Sequence, residues 1–422
     1  MPRSNHRDYL RRVRKAAEDP QLRRAMNRAA ESYSAARAEG LASVDFDALS
    51  QQVRAIKERA IEHLPALIAR FRQEAEGVGA CVYEAKTAED ARRYIVDLAR
   101  RQGVTLAVKS KSMATEEIGL NPALEAAGVR SVETDLGEWV VQLAGERPSH
   151  MVSPAIHKTR EEVAELLSRV TGRHIDPDIP SLVKVARAEL RRCFVEAQMG
   201  ITGANIAIAE TGTLVLVTNE GNGRLASSLP PIHVAVVGIE KLVRSLDDAV
   251  PILKILARNS TGQTLTSYTT FITGPSRTSD IEKTPVLGVH GPQQLHIVLL
   301  DNGRGALRND PEFRESLYCI RCGACMYLCP AFQVVAGHLF GHIYTGAIGT
   351  VLTAWHHGIE NAKEPLGLCH GCRYCVDVCP SRIDTPRMVL RLRERIVENE
   401  GLPLANSAAL RGVVRRPERL RA

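Results

Sequence analysis

The chain has 422 residues, of which 44% are hydrophobic, and its formal net charge is +7. This composition fits two or three globular domains with sizeable cores, and it excludes a disordered or fibrous chain. No uninterrupted apolar run is long enough to span a bilayer and no apolar segment follows the basic N-terminus, so we expect neither a membrane span nor a signal peptide.

The first 75 residues are predicted to form an N-terminal helical region. Ala, Arg, Glu and Gln dominate residues 1–75, and Pro65 marks a bend or break. From residue 76 to residue 303, short β-rich runs such as VTLAVK and IHVAVVG alternate with helical stretches. This alternation predicts an α/β domain with a largely buried sheet. Two runs, ANIAIAE and TLVLVT, are separated only by Thr211 and Gly212, which predicts a hairpin.

Polar residues in and near three turns of the α/β domain form a candidate pocket. The turn Lys109-Ser-Lys-Ser112 follows a strand and leads into a helical stretch, so its backbone N–H groups and two lysines suit a carboxylate or a phosphate. An exposed polar turn is the alternative. The candidate cofactor-binding residues are Lys109, Lys111, Glu116, Glu210, Asn219 and Glu220. No dinucleotide fingerprint is present, so a flavin or nicotinamide site has no support from a motif.

Two cysteines of the α/β region are predicted to be core residues. Cys193 falls on the apolar face of a helix predicted around residues 182–197, and Cys81 lies inside the first strand. They are far apart in sequence, so we expect no disulfide framework, and a cytoplasmic location fits.

The other eight cysteines form one pattern, C-x2-C-x2-C-x3-C-P, that occurs twice. This pattern binds a pair of [4Fe-4S] clusters, with the fourth cysteine of each motif ligating the other cluster. We therefore assign cluster 1 to Cys319, Cys322, Cys325 and Cys379, and cluster 2 to Cys369, Cys372, Cys375 and Cys329. Structural zinc is the alternative, although its usual pattern lacks a third cysteine in each half.

Helices are predicted on both sides of the two motifs. Asp310 and Pro311 are a suitable cap and first residue for a helix leading into the first motif, and Asp384 could cap a helix that ends near Gly401. These helices and the 39-residue spacer between the motifs predict an α-helical ferredoxin domain over residues 304–400, followed by a basic C-terminal tail over residues 401–422.

Positive charge is concentrated at the two ends of the chain. Residues 1–40 and residues 382–422 each hold ten Lys or Arg against five Asp or Glu. Solvated helix faces explain this excess, and docking to an acidic partner subunit or to a membrane surface is the alternative. Two oxidised clusters of charge about −2 each would lower the net charge to about +3, so we expect no nucleic-acid partner.

The chain resembles the lactate-utilisation protein B family over nearly its whole length. The matching segments include VKSKSMATEEIGLN, ETDLGEWVVQL, PSHMVSPAIHK, GITGANIAIAETGTLVLVTNEGNGRL, FITGPSRTSDIE, GVHGPQQLHIVLLDNGR, YCIRCGACMYLCP and LCHGCRYCVDVCP. The resemblance implies that the middle region is a LUD domain, similar to the α/β domains of sugar-phosphate isomerases and coenzyme A transferases. It also implies an α-helical ferredoxin domain at the C-terminal end.

The resemblance further implies an iron–sulfur electron-transfer subunit that oxidises L-lactate to pyruvate together with a cysteine-rich-domain subunit and a second LUD-domain subunit. It assigns no catalytic residue. Two alternatives stay open: a self-contained hydroxy-acid oxidoreductase using the LUD pocket, and a redox-sensing or scaffold module that binds a small anion without turnover. Many family members continue well past the second motif, whereas 43 residues follow Cys379 here, which bears on any partner contact made by that tail.

Overall fold

The computed structural model describes residues 6–401, so the predicted basic tail lies outside the described residues except for Gly401. Four helices open the described chain: α1 (His6–Glu18), α2 (Pro20–Leu41), α3 (Phe46–Glu62) and α4 (Leu64–Gly77). Aspartate side chains cap the N-termini of two of these helices. Asp19 accepts hydrogen bonds from backbone N–H groups in the first turn of α2, and Asp45 accepts one from the first turn of α3. Pro65 lies in the first turn of α4, which confirms the predicted break.

The region that follows contains twelve strands. In chain order they are β1 (Cys81–Ala85), β2 (Leu106–Lys109), β3 (Arg130–Glu133), β4 (Met199–Thr202), β5 (Ile206–Ile208), β6 (Thr213–Thr218), β7 (Ile232–Gly238), β8 (Leu242–Val243), β9 (Tyr268–Ile272), β10 (Arg277–Thr278), β11 (Val286–Leu287) and β12 (Gln294–Leu300). Six of them form a wholly parallel sheet in the order β1-β12-β7-β4-β2-β3. This is the buried sheet that the alternating pattern predicts.

Helices connect these strands and continue to the end of the described chain. They are α5 (Ala88–Arg101), α6 (Met113–Glu117), α7 (Leu120–Ala126), α8 (Leu136–Leu143), α9 (Arg160–Thr171), α10 (Ile179–Glu196), α11 (Asn222–Ser228), α12 (Leu246–Thr261), α13 (Arg304–Asn309), α14 (Ala324–Tyr327), α15 (Pro330–Leu339), α16 (Gly346–His356), α17 (Lys363–Leu366), α18 (Tyr374–Asp377) and α19 (Thr385–Glu400). Three short 3₁₀ helices cover Ile239–Lys241, Arg314–Tyr318 and Ile359–Asn361. Among the described helices, none is both long and apolar enough to cross a bilayer.

A second sheet departs from the simple alternation. The predicted hairpin is present, because β5 and β6 pair antiparallel, with Ile206 opposite Val215. It does not join the parallel sheet, however. Instead β5 and β6 lie inside a separate four-stranded sheet of order β8-β5-β6-β9. Their buried side chains pack in a hydrophobic cluster with α3 and α12, so tertiary packing fixed this arrangement.

The parallel sheet separates two hydrophobic cores. Along β12, Leu295, Ile297 and Leu299 belong to one core, while Val298 and Leu300 belong to the other. This alternation follows from the two-residue period of a strand. The first core also contains apolar side chains of the C-terminal helices, including Phe332 and Val351. The α/β region and the cysteine-bearing region are therefore packed through a shared core.

Two local expectations are wrong. Cys81 is exposed, not buried, because it opens β1 at the edge of the sheet with its side chain away from the core. Asp310 does not cap an α-helix: it ends α13, and the segment before the first cysteine motif is the 3₁₀ helix Arg314–Tyr318. Its carboxylate still accepts a hydrogen bond from the backbone N–H of Glu312.

Three other local expectations are confirmed. Cys193 is buried on α10. Asp384 caps α19 by accepting a hydrogen bond from the backbone N–H of Arg387, and that helix ends before Gly401. The spacer between the two cysteine motifs contains α15, α16 and α17, so this part of the chain is helical.

Candidate functional site

The eight motif cysteines line two neighbouring cavities. One cavity is lined by Cys319, Cys322, Cys325 and Cys379. The other is lined by Cys329, Cys369, Cys372 and Cys375. The fourth cysteine of each motif thus lies with the first three of the other motif. Cys325 and Cys375 border both cavities, which places the two groups side by side. The ligation itself stays a prediction.

The donor set of the two cavities fits iron–sulfur clusters. All eight cysteines are free thiols, and most are wholly or partly buried. Burial raises the pKa of Cys322 to about 11, and burial together with neighbouring thiols raises that of Cys375 to about 12. Buried thiolates therefore need a compensating cation, which bound iron would provide. Such clusters carry single electrons.

The backbone of each motif turns sharply around its second cysteine. In the first motif the flanking residues Arg321 and Gly323 have φ angles of 61° and 79°. In the second motif Gly371 and Arg373 occupy the same two places with φ angles of 70° and 69°. Each motif thus has one glycine and one arginine in the left-handed region. An L-residue in that region costs roughly 1–2 kcal/mol, so the two arginines need a compensating role.

A hydrogen bond connects the α/β region to the first cysteine group. Asn259 of α12 is wholly buried, and its Nδ2 donates to Cys322 Sγ at 3.4 Å and to the carbonyl of Val378 at 3.1 Å. Arg37 of α2 fixes the same amide by donating to its Oδ1 at 2.7 Å. Donors to ligand sulfur are among the groups that set the potential of a cluster.

A cavity of about 400 Å³ lies at the carboxyl ends of the parallel strands. Its wall includes residues 110–112 after β2 and residues 203–205 after β4. The chain runs outward from β2 to β3 and then returns to the other side of β2 at β4, so this is the switch point of the sheet. Open α/β sheets bind ligands at such points. Three residues of the C-terminal region complete the wall, namely Arg304, Arg321 and Tyr344.

Three of the six predicted pocket residues line this cavity. Lys111 donates to the carbonyl of Val152 at 2.7 Å and lies 3.6 Å from Asp135. Asn219 and Glu220 lie at its exposed rim. Partial burial, with Asp135 nearby, raises the pKa of Glu220. The predicted turn therefore contributes to a pocket, although through Lys111 alone of its two lysines.

The other three predicted residues lie outside the cavity wall. Lys109 is wholly buried and lies 2.5 Å from Glu116 and 2.5 Å from Glu133. Burial alone would lower the pKa of Lys109, but the two carboxylates outweigh burial and raise it. Its charge is thus already neutralised within the fold. Glu210 lies at the exposed hairpin turn between β5 and β6.

Sequence reasoning missed a buried ionic network that forms part of the cavity wall and extends behind it. Arg304 Nη2 lies 2.7 Å from Glu117 Oε2, and the same guanidinium also pairs with Glu240. Tyr344 donates its hydroxyl to Glu117 Oε2 at 2.6 Å. Arg321 lies 3.4 Å from Glu240 Oε1. Burial would raise the pKa of Glu240, but Arg304 and Arg321 outweigh burial and hold it at about 2.

One signal in the sequence pointed to this network. Arg321 lies between Cys319 and Cys322, so the side chains that contact Arg321 were expected to lie close to the first motif. Glu240 and Arg304 follow β7 and β12 closely, but no spacing marked them as neighbours. Only the parallel arrangement of those strands brings them together.

Two family models match the chain. The LUD domain matches residues 68–300, and a 4Fe-4S dicluster domain matches residues 315–383. The second match covers the eight motif cysteines and favours iron–sulfur clusters over the zinc alternative. It also agrees with the prediction of two clusters.

Similar proteins cover most of the chain. An uncharacterized electron transport protein, YkgF of Escherichia coli, is 38% identical over 95% of this chain and 82% of its own length. Lactate utilization protein B 2 of Bacillus mycoides is 39% identical over 84% of this chain and 73% of its own length. Lactate utilization protein B of Shouchella clausii is 36% identical over 96% of this chain and 84% of its own length. A crystal structure of a DUF162 family protein from Deinococcus radiodurans covers 56% of this chain and 98% of that one, with 15% identity and a TM-score of 0.29.

Proposed function

This chain belongs to the lactate utilization protein B family, and we propose that it is the iron–sulfur electron-transfer subunit of a complex that oxidises L-lactate to pyruvate. Its proposed partners are a cysteine-rich-domain subunit and a second LUD-domain subunit. The observation that carries the proposal is the pair of adjoining four-cysteine cavities.

The placement of the two cysteine groups supports a direction for electron flow. The first group is enclosed, because Cys322 is buried against α12, and Arg321 belongs both to this motif and to the wall of the cavity. The second group reaches the surface, where Cys372 is exposed. Arg373, Arg387 and Arg391 lie around a depression beside it together with Asp384 and Glu394, and each arginine is paired with a carboxylate. Electrons would enter near the cavity and leave through the second group, whose exposed cysteine faces the surface where a partner would dock.

The test is electron transfer in the reconstituted complex. The chain is loaded with iron and sulfide under anaerobic conditions, mixed with both partner subunits, and given L-lactate while cluster absorption is followed. We expect bleaching together with formation of pyruvate. Cys372→Ser alters the exposed cysteine group. Its control is Cys81→Ser, which replaces an exposed cysteine outside both motifs. Pyruvate formation with unchanged cluster absorption would contradict the proposal.

A self-contained hydroxy-acid oxidoreductase is the second candidate. The cavity at the sheet favours it, because Arg321 lies both in its wall and between two cysteines of the first group. This candidate predicts that L-lactate bleaches the loaded single chain without partners. A stable spectrum of the single chain, together with bleaching in the full complex, would favour the subunit function.

A further inference from the structure

Arg321 lines the cavity and also has one unused, buried donor. Its side chain is 10% exposed, and Nη1 is buried with no hydrogen-bond partner among residues 6–401. The other side of the guanidinium lies 3.4 Å from Glu240, and the group stacks 4.6 Å from the ring centroid of Tyr344. These contacts fix the position of the guanidinium. A buried donor without a partner is costly, and a missing ligand is a common reason for one: here the first cluster on the Cys319 side or a molecule in the cavity.

The backbone at Arg321 strengthens this observation. With a φ of 61°, Arg321 occupies a position where the second motif has Gly371. Glycine would avoid the strain at this place, so the arginine side chain must contribute something that glycine cannot. In the second motif the corresponding exchange puts Arg373 at the surface, paired at 3.3 Å with Asp384. The two motifs therefore place their arginines in different environments, one buried at the cavity and one exposed.

A second cation lies in the same wall. Lys241 lines the cavity, and its ammonium group has no ion pair or hydrogen bond within the described chain. Lys241 and Arg321 carry like charges in the same part of the cavity wall. An anion beside both groups would relieve this repulsion.

The local charge leaves room for an anion. Lys241, Arg304 and Arg321 line this end of the cavity. Within residues 6–401, the carboxylates that pair with these two arginines are those of Glu117 and Glu240. A bound cluster would face the excess positive charge from one side, and a ligand in the cavity would face it from the other.

We propose that the cavity binds an organic oxyanion whose carboxylate or phosphate group lies against Arg321 and Lys241, next to the first cysteine motif. The inference rests on the proposed function only for the presence of the first cluster. A three-carbon acid would fill only part of a cavity of about 400 Å³, whereas a phosphate-bearing flavin would occupy more of it. Both share the anionic group that this wall recognises.

The first test measures binding to the anaerobically loaded full chain by titration calorimetry. Pyruvate, L-lactate and flavin mononucleotide are the probes, and neutral L-lactamide is the control of matched shape. We expect at least one anion to bind and lactamide not to bind. Lys241→Met and Arg321→Gln should each weaken the binding of that anion by about tenfold or more, which is the usual effect of losing a charged hydrogen-bond donor. Lys254→Met, on the exposed face of α12, should leave affinity unchanged.

The second test measures the potential of the first cluster. A bound anion disfavours the added electron, so we expect saturating ligand to lower the midpoint potential in the wild type and to lose this effect in Lys241→Met. By reciprocity, reduction of the cluster should weaken anion binding. If Arg321→Gln fails to load iron, Lys241→Met carries both tests.

Two results would overturn the inference. One is the absence of binding by all three anions, and the other is binding that neither variant weakens. Either result would leave the proposed electron transfer intact, because that function is tested by bleaching in the complex. Anion affinity that depends on both Lys241 and Arg321 would support the inference. The probe that binds more tightly would then show whether the oxyanion belongs to a small acid or to a phosphate-bearing cofactor.

Discussion

Arg304 and Glu117 form a buried ion pair, with 2.7 Å between Nη2 and Oε2 and both side chains at most 1% exposed. Glu117 ends α6 in the α/β region, and Arg304 begins α13, which leads toward the cysteine motifs. Tyr344, from the spacer between the motifs, donates to the same carboxylate. One carboxylate of the α/β region therefore binds two side chains of the C-terminal region.

We expect Arg304→Met to destabilise the protein strongly. The substitution leaves the carboxylates of Glu117 and Glu240 buried without their main cation, and breaking a buried pair in this way costs about 3–5 kcal/mol. Urea denaturation followed by circular dichroism measures the change. As a control, Arg192→Met removes a pair with Glu189 whose side chains are 60% and 38% exposed, so it should change stability by less than about 1 kcal/mol. Equal effects of the two variants would contradict the importance of the buried network.

We expect His233 to make stability depend on pH. It is wholly buried in β7, hydrogen-bonded to Thr202 at 2.8 Å, and burial lowers its pKa to about 3. The unfolded chain binds a proton at this group below a pH of about 6.5, whereas the folded chain does so only near its lowered pKa. Stability from this group is therefore full above pH 6.5 and is lost as pH falls toward 3, by about 1.4 kcal/mol per pH unit.

The comparison variant for this pH effect is His233→Asn. Its unfolding free energy, measured in urea between pH 7 and pH 5, should depend less steeply on pH than that of the wild type. His174→Asn is the control, because the side chain of His174 is 83% exposed. Parallel pH curves for wild type and His233→Asn would show that His233 does not carry the effect.

We expect double substitutions to reveal the crossed ligation. If Cys319 and Cys379 bind the same cluster, replacing both with alanine removes one cluster and leaves about four iron atoms. Replacing Cys319 and Cys329 would then damage both clusters and leave little iron. Ligation within each motif predicts the reverse order. Iron and labile sulfide analysis distinguishes the two schemes, and Cys193→Ala, a buried cysteine outside the motifs, should retain full iron content.

We expect Asn259→Leu to lower the potential of the first cluster. The substitution removes the donor to Cys322 Sγ while leaving a side chain of similar size. A donor to ligand sulfur favours the reduced, more negative cluster, so its loss makes reduction harder. A spectroscopic redox titration measures the shift, and Asn361→Leu, an exposed substitution distant in sequence, is the control. An unchanged midpoint in Asn259→Leu would show that this hydrogen bond has no influence.

The local patterns of the sequence predicted much of the fold. Apolar runs and caps are short-range features, so the helix capped by Asp384, the break at Pro65 and the hairpin from β5 to β6 all appear where they were expected. The cysteine spacing was equally informative, because a cluster places strict limits on the chain between its ligands. Cys81 shows the limit of such reasoning, since a strand residue is buried or exposed according to its place in the sheet.

The sequence by itself determined most of the secondary structure, the two cysteine motifs and the polar turn that contains Lys111. Only the tertiary structure decided which side chains meet at the cavity. Lys109 lies two residues from Lys111, yet the carboxylates of Glu116 and Glu133 neutralise its charge. Glu240 and Arg321 are 81 residues apart, yet they lie together. The physical reason is that parallel strands bring the residues after each strand to one edge, while their order in the sheet is set by packing across the whole chain.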